Sequence, residues 1–129
     1  MAPVEQSSAY VLIVEDDFGI RDAVTQILED EGYTVVGVTN GMEALDYLRN
    51  TPDVPALILL DLTLPLMSGW QFISMCQQDS ALRSIPIMVM SADSSFLHTI
   101  SATGAAGYLQ KPIEINTLLD TVRQYCGQG

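Results

Sequence analysis

The chain has 129 residues, the length of one ordinary domain and too short for two full-sized ones. A hydrophobic fraction of 48% provides for a sizeable core and excludes a disordered chain, while 16 acidic against 5 basic residues give a net charge of -11. A surface that acidic repels phosphate backbones and anionic lipid, which argues against direct nucleic-acid binding and membrane adhesion and for a protein or metal partner.

Residues 1–9 read as a loose N-terminal tail. The first apolar run, Tyr10–Val14, is followed by Asp17, a candidate N-cap, and by Ile20, Val24, Ile27 and Leu28 on one helical face. The second run, Thr34–Val38, leads to Asn40, with Glu43 three residues on as in a capping box, and then to Ala44, Leu45 and Leu48. The third, Ala56–Leu60, precedes a face of Trp70, Ile73 and Cys76. The fourth, Ile85–Met90, precedes Phe96, Leu97 and Ile100. The fifth, Ala106–Leu109, precedes Ile115, Leu118, Leu119 and Val122, a helix that ends before Gly127.

None of the five runs alternates apolar with polar, so strands buried on both faces of a parallel sheet are expected. Strand and helix repeated five times, with right-handed crossovers, predict an α/β fold: a doubly wound five-stranded parallel sheet with five helices. One domain spans residues 10–126, and 127–129 form a C-terminal tail. No apolar run approaches the length of a membrane span, and no basic start leads into an apolar stretch, so a cytoplasmic domain is expected. Cys76 and Cys126 fall inside helical patterns and make neither a disulfide framework nor a metal site.

In such a sheet, ligands gather beyond the carboxyl ends of the strands. Those ends deliver Glu15, Asp16 and Asp17 after the first run, Asp61 after the third, Ser91 after the fourth, and Gln110 and Lys111 after the fifth. Clustered carboxylates repel one another without a cation, and hard oxygen ligands with room for water suit Mg²⁺. An oriented carboxylate is a nucleophile toward phosphorus and forms an aspartyl phosphate. Lys111, the only lysine, and the Ser91 hydroxyl are of the right types to meet the phosphoryl oxygens. Helix N-capping accounts for an acid such as Asp17, but not for Asp61, Ser91 and Lys111 together.

Four motifs carry a family resemblance: Val14-Glu15-Asp16-Asp17; Leu60-Asp61-Leu62-Thr63-Leu64-Pro65-Leu66-Met67-Ser68-Gly69; Met90-Ser91-Ala92; and Gly104 through Tyr108-Leu109-Gln110-Lys111-Pro112. Over roughly Tyr10 to Cys126 the chain resembles the receiver domain of two-component response regulators, here of single-domain type, with a flavodoxin-like fold. The resemblance implies Asp61 as phosphoacceptor and Mg²⁺ as cofactor. Asp16 or Asp17, Asp61 and the backbone carbonyl of Thr63 would be the metal ligands. Asp17 is the preferred direct ligand, with Asp16 acting partly through water, and Glu15 is assigned no role. Ser91 and Lys111 would bind the phosphoryl oxygens, and Tyr108 would be the switch aromatic that moves with Ser91. Pro112 would carry a cis peptide bond, and Gly69 and Pro65 would shape the loop beside the site. The implied donor is a sensor histidine kinase or a histidine phosphotransfer protein. The output is a protein target on the face of the fourth helix, fifth strand and fifth helix. The domain would catalyse only its own phosphorylation and dephosphorylation. Ala106-Gly107 departs from the family, where an acidic or amide residue is frequent before the aromatic.

The alternatives belong to other classes. A Mg²⁺-dependent phosphohydrolase with an aspartyl nucleophile generally wants a second Asp two residues on, where Thr63 stands. A flavodoxin-like cofactor carrier wants a hydroxyl-rich phosphate loop, which Glu15-Asp16-Asp17 contradicts. The runner-up is a receiver-fold interaction module that works without phosphorylation. His98 is expected to be a surface or boundary residue, Trp70 and Met67 core or rim packing residues, and Met88 and Met90 members of a buried strand.

Overall fold

Five short strands carry the apolar runs, and the register among them shows why those runs are continuous. In the computed structural model, which describes residues 9–64, 66–93, 95 and 100–127, the elements in chain order are β1 (Tyr10–Val14), α1 (Phe18–Asp30), β2 (Thr34–Val38), α2 (Gly41–Asn50), β3 (Leu57–Asp61), α3 (Gly69–Gln77), β4 (Ile87–Ser91), a short 3₁₀ turn (Ser101–Thr103), β5 (Gly107–Gln110) and α4 (Ile115–Cys126). The strands form one parallel sheet in the order β2-β1-β3-β4-β5.

Alternate residues of the three central strands enter two separate cores. Leu12, Val14, Ile58, Leu60, Ile87 and Val89 pack with Ala44, Leu45 and Leu48 of α2 and with Phe72, Ile73 and Cys76 of α3. Val11, Ile13, Leu57, Leu59, Met88 and Met90 pack on the opposite face with Val24 and Leu28 of α1 and with Leu118, Leu119 and Val122 of α4. Because both faces are covered, every residue of β1, β3 and β4 is buried. The edge strands depart from the expectation of full burial: β2 and β5 each have a single neighbouring strand, and most of their residues are partly or fully exposed.

The helix starts follow their caps. Asp17 accepts from the Ile20 amide and Asn40 from the Glu43 amide, while Glu43 reaches back to the Thr39 amide. Ser68 and Gln71 form a full capping box at α3. Three strands run one residue further than their apolar runs, so Asp61, Ser91 and Gln110 are the last residues of β3, β4 and β5. Ile115, expected in the core, sits exposed in the first turn of α4. Four α-helices lie among the described residues. The helix expected around 94–102 falls largely outside them, as do Pro65, Phe96, Leu97, His98 and most of both expected tails. Cys76 and Cys126 are both free, and burial pushes the Cys76 thiol up to about 12. No helix among the described residues is long and apolar enough to cross a membrane.

Candidate functional site

The strand order itself marks where to look. The chain turns to β2 on one side of β1 and then crosses to β3 on the other, leaving a crevice beyond the carboxyl ends of β1 and β3. A cavity of about 320 Å³ opens there, with Glu15, Asp16, Asp17, Asp61, Ser91 and Lys111 in its walls.

Each side chain reaches this crevice for a local reason. Asp61, 4% exposed, is the last residue of β3, held in register opposite Met90. Glu15, 1% exposed, directly follows β1, and its amide donates to the Val38 carbonyl at the end of β2. Ser91 closes β4, and its carbonyl accepts the Lys111 amide at 2.8 Å, which ties the two polar strand ends together. The Lys111 ammonium stands 2.9 Å from Glu15 Oε1 and 3.3 Å from Asp61 Oδ1. Asp61 Oδ1 also accepts the Thr63 amide at 3.2 Å. Ser91 Oγ accepts the Asp93 amide at 3.1 Å, which leaves the hydroxyl proton available to donate. The Tyr108 hydroxyl donates to the Ser91 carbonyl at 3.0 Å and lies 3.4 Å from the Asp93 carbonyl. The Lys111–Pro112 peptide bond is cis.

Electrostatics follows from burial. Removal from water pushes the Glu15 carboxyl up, Asp61 adds to this, and Lys111 opposes it. Burial pulls the Lys111 ammonium down, but the Glu15 and Asp61 carboxylates outweigh that, so its affinity for its proton is raised. One oxygen each from Glu15, Asp16 and Asp61 lie within 4.8 Å of one another. Three hard anionic donors with an open side for water form a set that fits Mg²⁺. Asp17, the preferred direct ligand in the expectation above, lines the rim of the crevice, and its Oδ1 caps α1 at 3.0 Å from the Ile20 amide. The acid that sequence reasoning left without a role, Glu15, is the one that lies beside Asp16 and Asp61. Its signal was its place immediately after an apolar run, but three consecutive acids hide which two face the sheet end.

Gly69 packs closely against the start of the loop that follows Asp61. Its amide donates to the Leu62 carbonyl, and an added Cβ would lie 2.8 Å from Leu62 Cα and 3.0 Å from the Asp61 carbonyl oxygen. Gly69→Ala is therefore expected to destabilise the fold by about 1–3 kcal/mol, read as a lower denaturant midpoint. Met67 and Trp70, beside this loop, are half-buried packing residues of the α2–α3 side.

The cluster also predicts a response to metal. At a Mg²⁺ concentration ten times the dissociation constant, stability should rise by about 1.4 kcal/mol, or roughly 3–6 °C in melting temperature. Thermal melts with and without Mg²⁺ check this, and an unchanged midpoint would reject the cluster as a metal site.

The model of the response regulator receiver domain family matches residues 11–123. The chain is 33% identical over 121 residues to the polar-differentiation response regulator DivK of Brucella anthropi, covering 92% of this chain and 97% of that protein. It is 34% identical over 110 residues to the two-component response regulator-like protein APRR9 of Arabidopsis thaliana, covering 84% of this chain but only 24% of that protein. Among solved structures, the chemotaxis response regulator CheY4 of Vibrio cholerae superposes with a TM-score of 0.83 at 31% identity, over 92% of this chain and 99% of that one.

Proposed function

Because the chain belongs to the response regulator receiver domain family, the signalling domains of two-component systems, we propose that Asp61 accepts a phosphoryl group and that Ser91, Lys111 and Tyr108 convert this into a signal. The observation that carries this reading is the Lys111 ammonium bridging Glu15 and Asp61 in the crevice that Ser91 also lines.

In the proposed transfer, an oxygen of Asp61 forms a bond to phosphorus as the bond from phosphorus to the donor's histidine nitrogen breaks. Asp61 Oδ1 is held by the Thr63 amide and Lys111, which fixes the carboxylate and leaves its other oxygen for attack. Glu15, Asp16 and Asp61, with the Thr63 carbonyl, would hold Mg²⁺, which supplies positive charge against the phosphoryl oxygens. Asp17 then serves as the cap of α1 rather than as a direct ligand. The incoming group adds about -1.5 to -2 charge and three strong acceptors. Lys111 shifts from its two carboxylates toward those acceptors, and the Ser91 hydroxyl donates to another. Tyr108 is bonded to the Ser91 carbonyl, so displacement of Ser91 is transmitted directly to the aromatic ring. The face that includes β5 and α4 thereby changes for a downstream protein. The donor is a sensor histidine kinase or a histidine phosphotransfer protein, and the reaction belongs in the cytoplasm.

The test is the intact mass of the protein after incubation with acetyl phosphate, with and without Mg²⁺. A gain of about 80 Da that requires Mg²⁺ is the expected result. Absence of any gain, from acetyl phosphate and from phosphorylated kinases alike, in a protein that binds Mg²⁺ would favour a phosphorylation-independent interaction module.

A further inference from the structure

One buried peptide group in the acidic crevice is held by a side chain that takes no part in the chemistry described above. Arg21 lies in the second turn of α1, half-buried, and its guanidinium reaches back six residues to donate to the Glu15 carbonyl at 2.7 Å. The amide of the same residue is already held by Val38. Both backbone groups of Glu15 are thus fixed, one by the sheet and one by Arg21. The carbonyl that Arg21 grips belongs to the peptide joining Glu15 to Asp16, so its rotation would swing both carboxylates relative to Asp61.

The stem of Arg21 has a prepared path. It crosses β2 at Gly37, where an added Cβ would lie 3.2 Å from Arg21 Cδ and 3.4 Å from Cγ. Glycine is a poor choice in a strand, where it weakens the element and often marks close approach of another group. The guanidinium also lies over the Phe18 ring, 5.5 Å from its centroid, which restricts its rotamers on the solvent side. The hydrogen bond to the Glu15 carbonyl, the gap at Gly37 and the Phe18 ring together hold the guanidinium against the start of the acidic segment.

We infer that Arg21, admitted by Gly37, is a positioning residue that sets the Glu15–Asp16 peptide and thereby the affinity of the acidic crevice for a divalent cation. The inference rests on the metal-binding part of the reading above. A residue that orients metal ligands without touching the metal typically changes affinity by 10–100-fold.

The sign of the effect separates this role from two others. Arg21 is cationic, so if it acted through charge alone its loss would tighten Mg²⁺ binding. If it served only the fold, its loss would lower the melting temperature without moving the dissociation constant. The positioning role requires weaker binding. Isothermal titration of Mg²⁺ into the wild type and into Arg21→Met, which keeps much of the stem, is expected to show at least about tenfold weaker binding in the variant. Gly37→Val keeps the charge and favours the strand, yet crowds the stem, and is expected to weaken binding in the same direction. Unchanged or tighter binding in Arg21→Met overturns the inference while leaving the metal site intact. A wild type that fails to bind Mg²⁺ overturns the metal site and the inference together.

Discussion

Asp61→Asn is expected to abolish phosphoryl acceptance while leaving the fold intact and stabilising it in the absence of divalent cations. The amide is nearly isosteric, and its oxygen can still accept from the Thr63 amide and from Lys111, so the two contacts of Oδ1 survive. The anionic oxygen that would attack phosphorus is lost, and a neutral amide has no comparable nucleophilicity. The same change removes one of three carboxylates whose oxygens lie within 4.8 Å of each other, and with it much of their mutual repulsion. The variant should therefore show no mass gain with acetyl phosphate, a melting temperature in chelator at least equal to that of the wild type, and a smaller upward shift on adding Mg²⁺. A mass gain persisting in Asp61→Asn would move the phosphoacceptor elsewhere. A large loss of stability would mean that this carboxylate serves the fold rather than the chemistry.

Lys111→Met should produce the largest loss of stability among the site residues, and one that metal repairs. Lys111 is 18% exposed in its side chain and pairs with Glu15 at 1% and Asp61 at 6%. Among the described residues it is the one ion-pair partner of either acid. Removing it leaves a buried carboxylate without its cation, which costs about 3 kcal/mol for a pair largely excluded from water. Denaturant unfolding in chelator should show that loss, and saturating Mg²⁺ should return part of it by restoring positive charge beside the same carboxylates. Adding Glu15→Gln to Lys111→Met should also recover part of it, because the amide needs no counter-charge, and the double-mutant cycle measures the coupling. Equal stability of Lys111→Met and wild type in chelator would mean that the bridging ion pair contributes nothing to the fold. The variant is also expected to lose the ligand for a phosphoryl oxygen. Phosphorylation by acetyl phosphate would then leave the environment of Tyr108, followed by near-ultraviolet dichroism, unchanged.

Much of this molecule is written in its apolar pattern. Five continuous runs with helical faces between them are what a parallel sheet covered on both sides requires, and Tyr10–Val14 and Thr34–Val38 coincide with β1 and β2. Asp61, Ser91 and Lys111 were identifiable because polar residues at the ends of such strands must emerge along one edge of the sheet. The caps at Asp17 and Asn40 were legible as well, since each depends on residues three positions apart.

What sequence spacing could not decide was orientation among neighbours. Glu15, Asp16 and Asp17 are consecutive, and which of them face Asp61 depends on how the chain leaves β1. That exit is set by the Glu15 amide bonded to Val38 and the Glu15 carbonyl bonded to Arg21, contacts 23 and 6 residues apart in the chain. Asp17, bound locally to its own helix, is turned to the rim, while Glu15 is drawn under Lys111 from the far end of the sequence. The exposure of β2, β5 and Ile115 was likewise hidden, because edge position and the packing of a first helical turn belong to the assembled sheet. Local periodicity and capping, which act over a few residues, thus determined the elements and the edge where the chemistry gathers. Only long-range hydrogen bonds and burial, which exist once the strands are side by side, decided which acids meet the lysine.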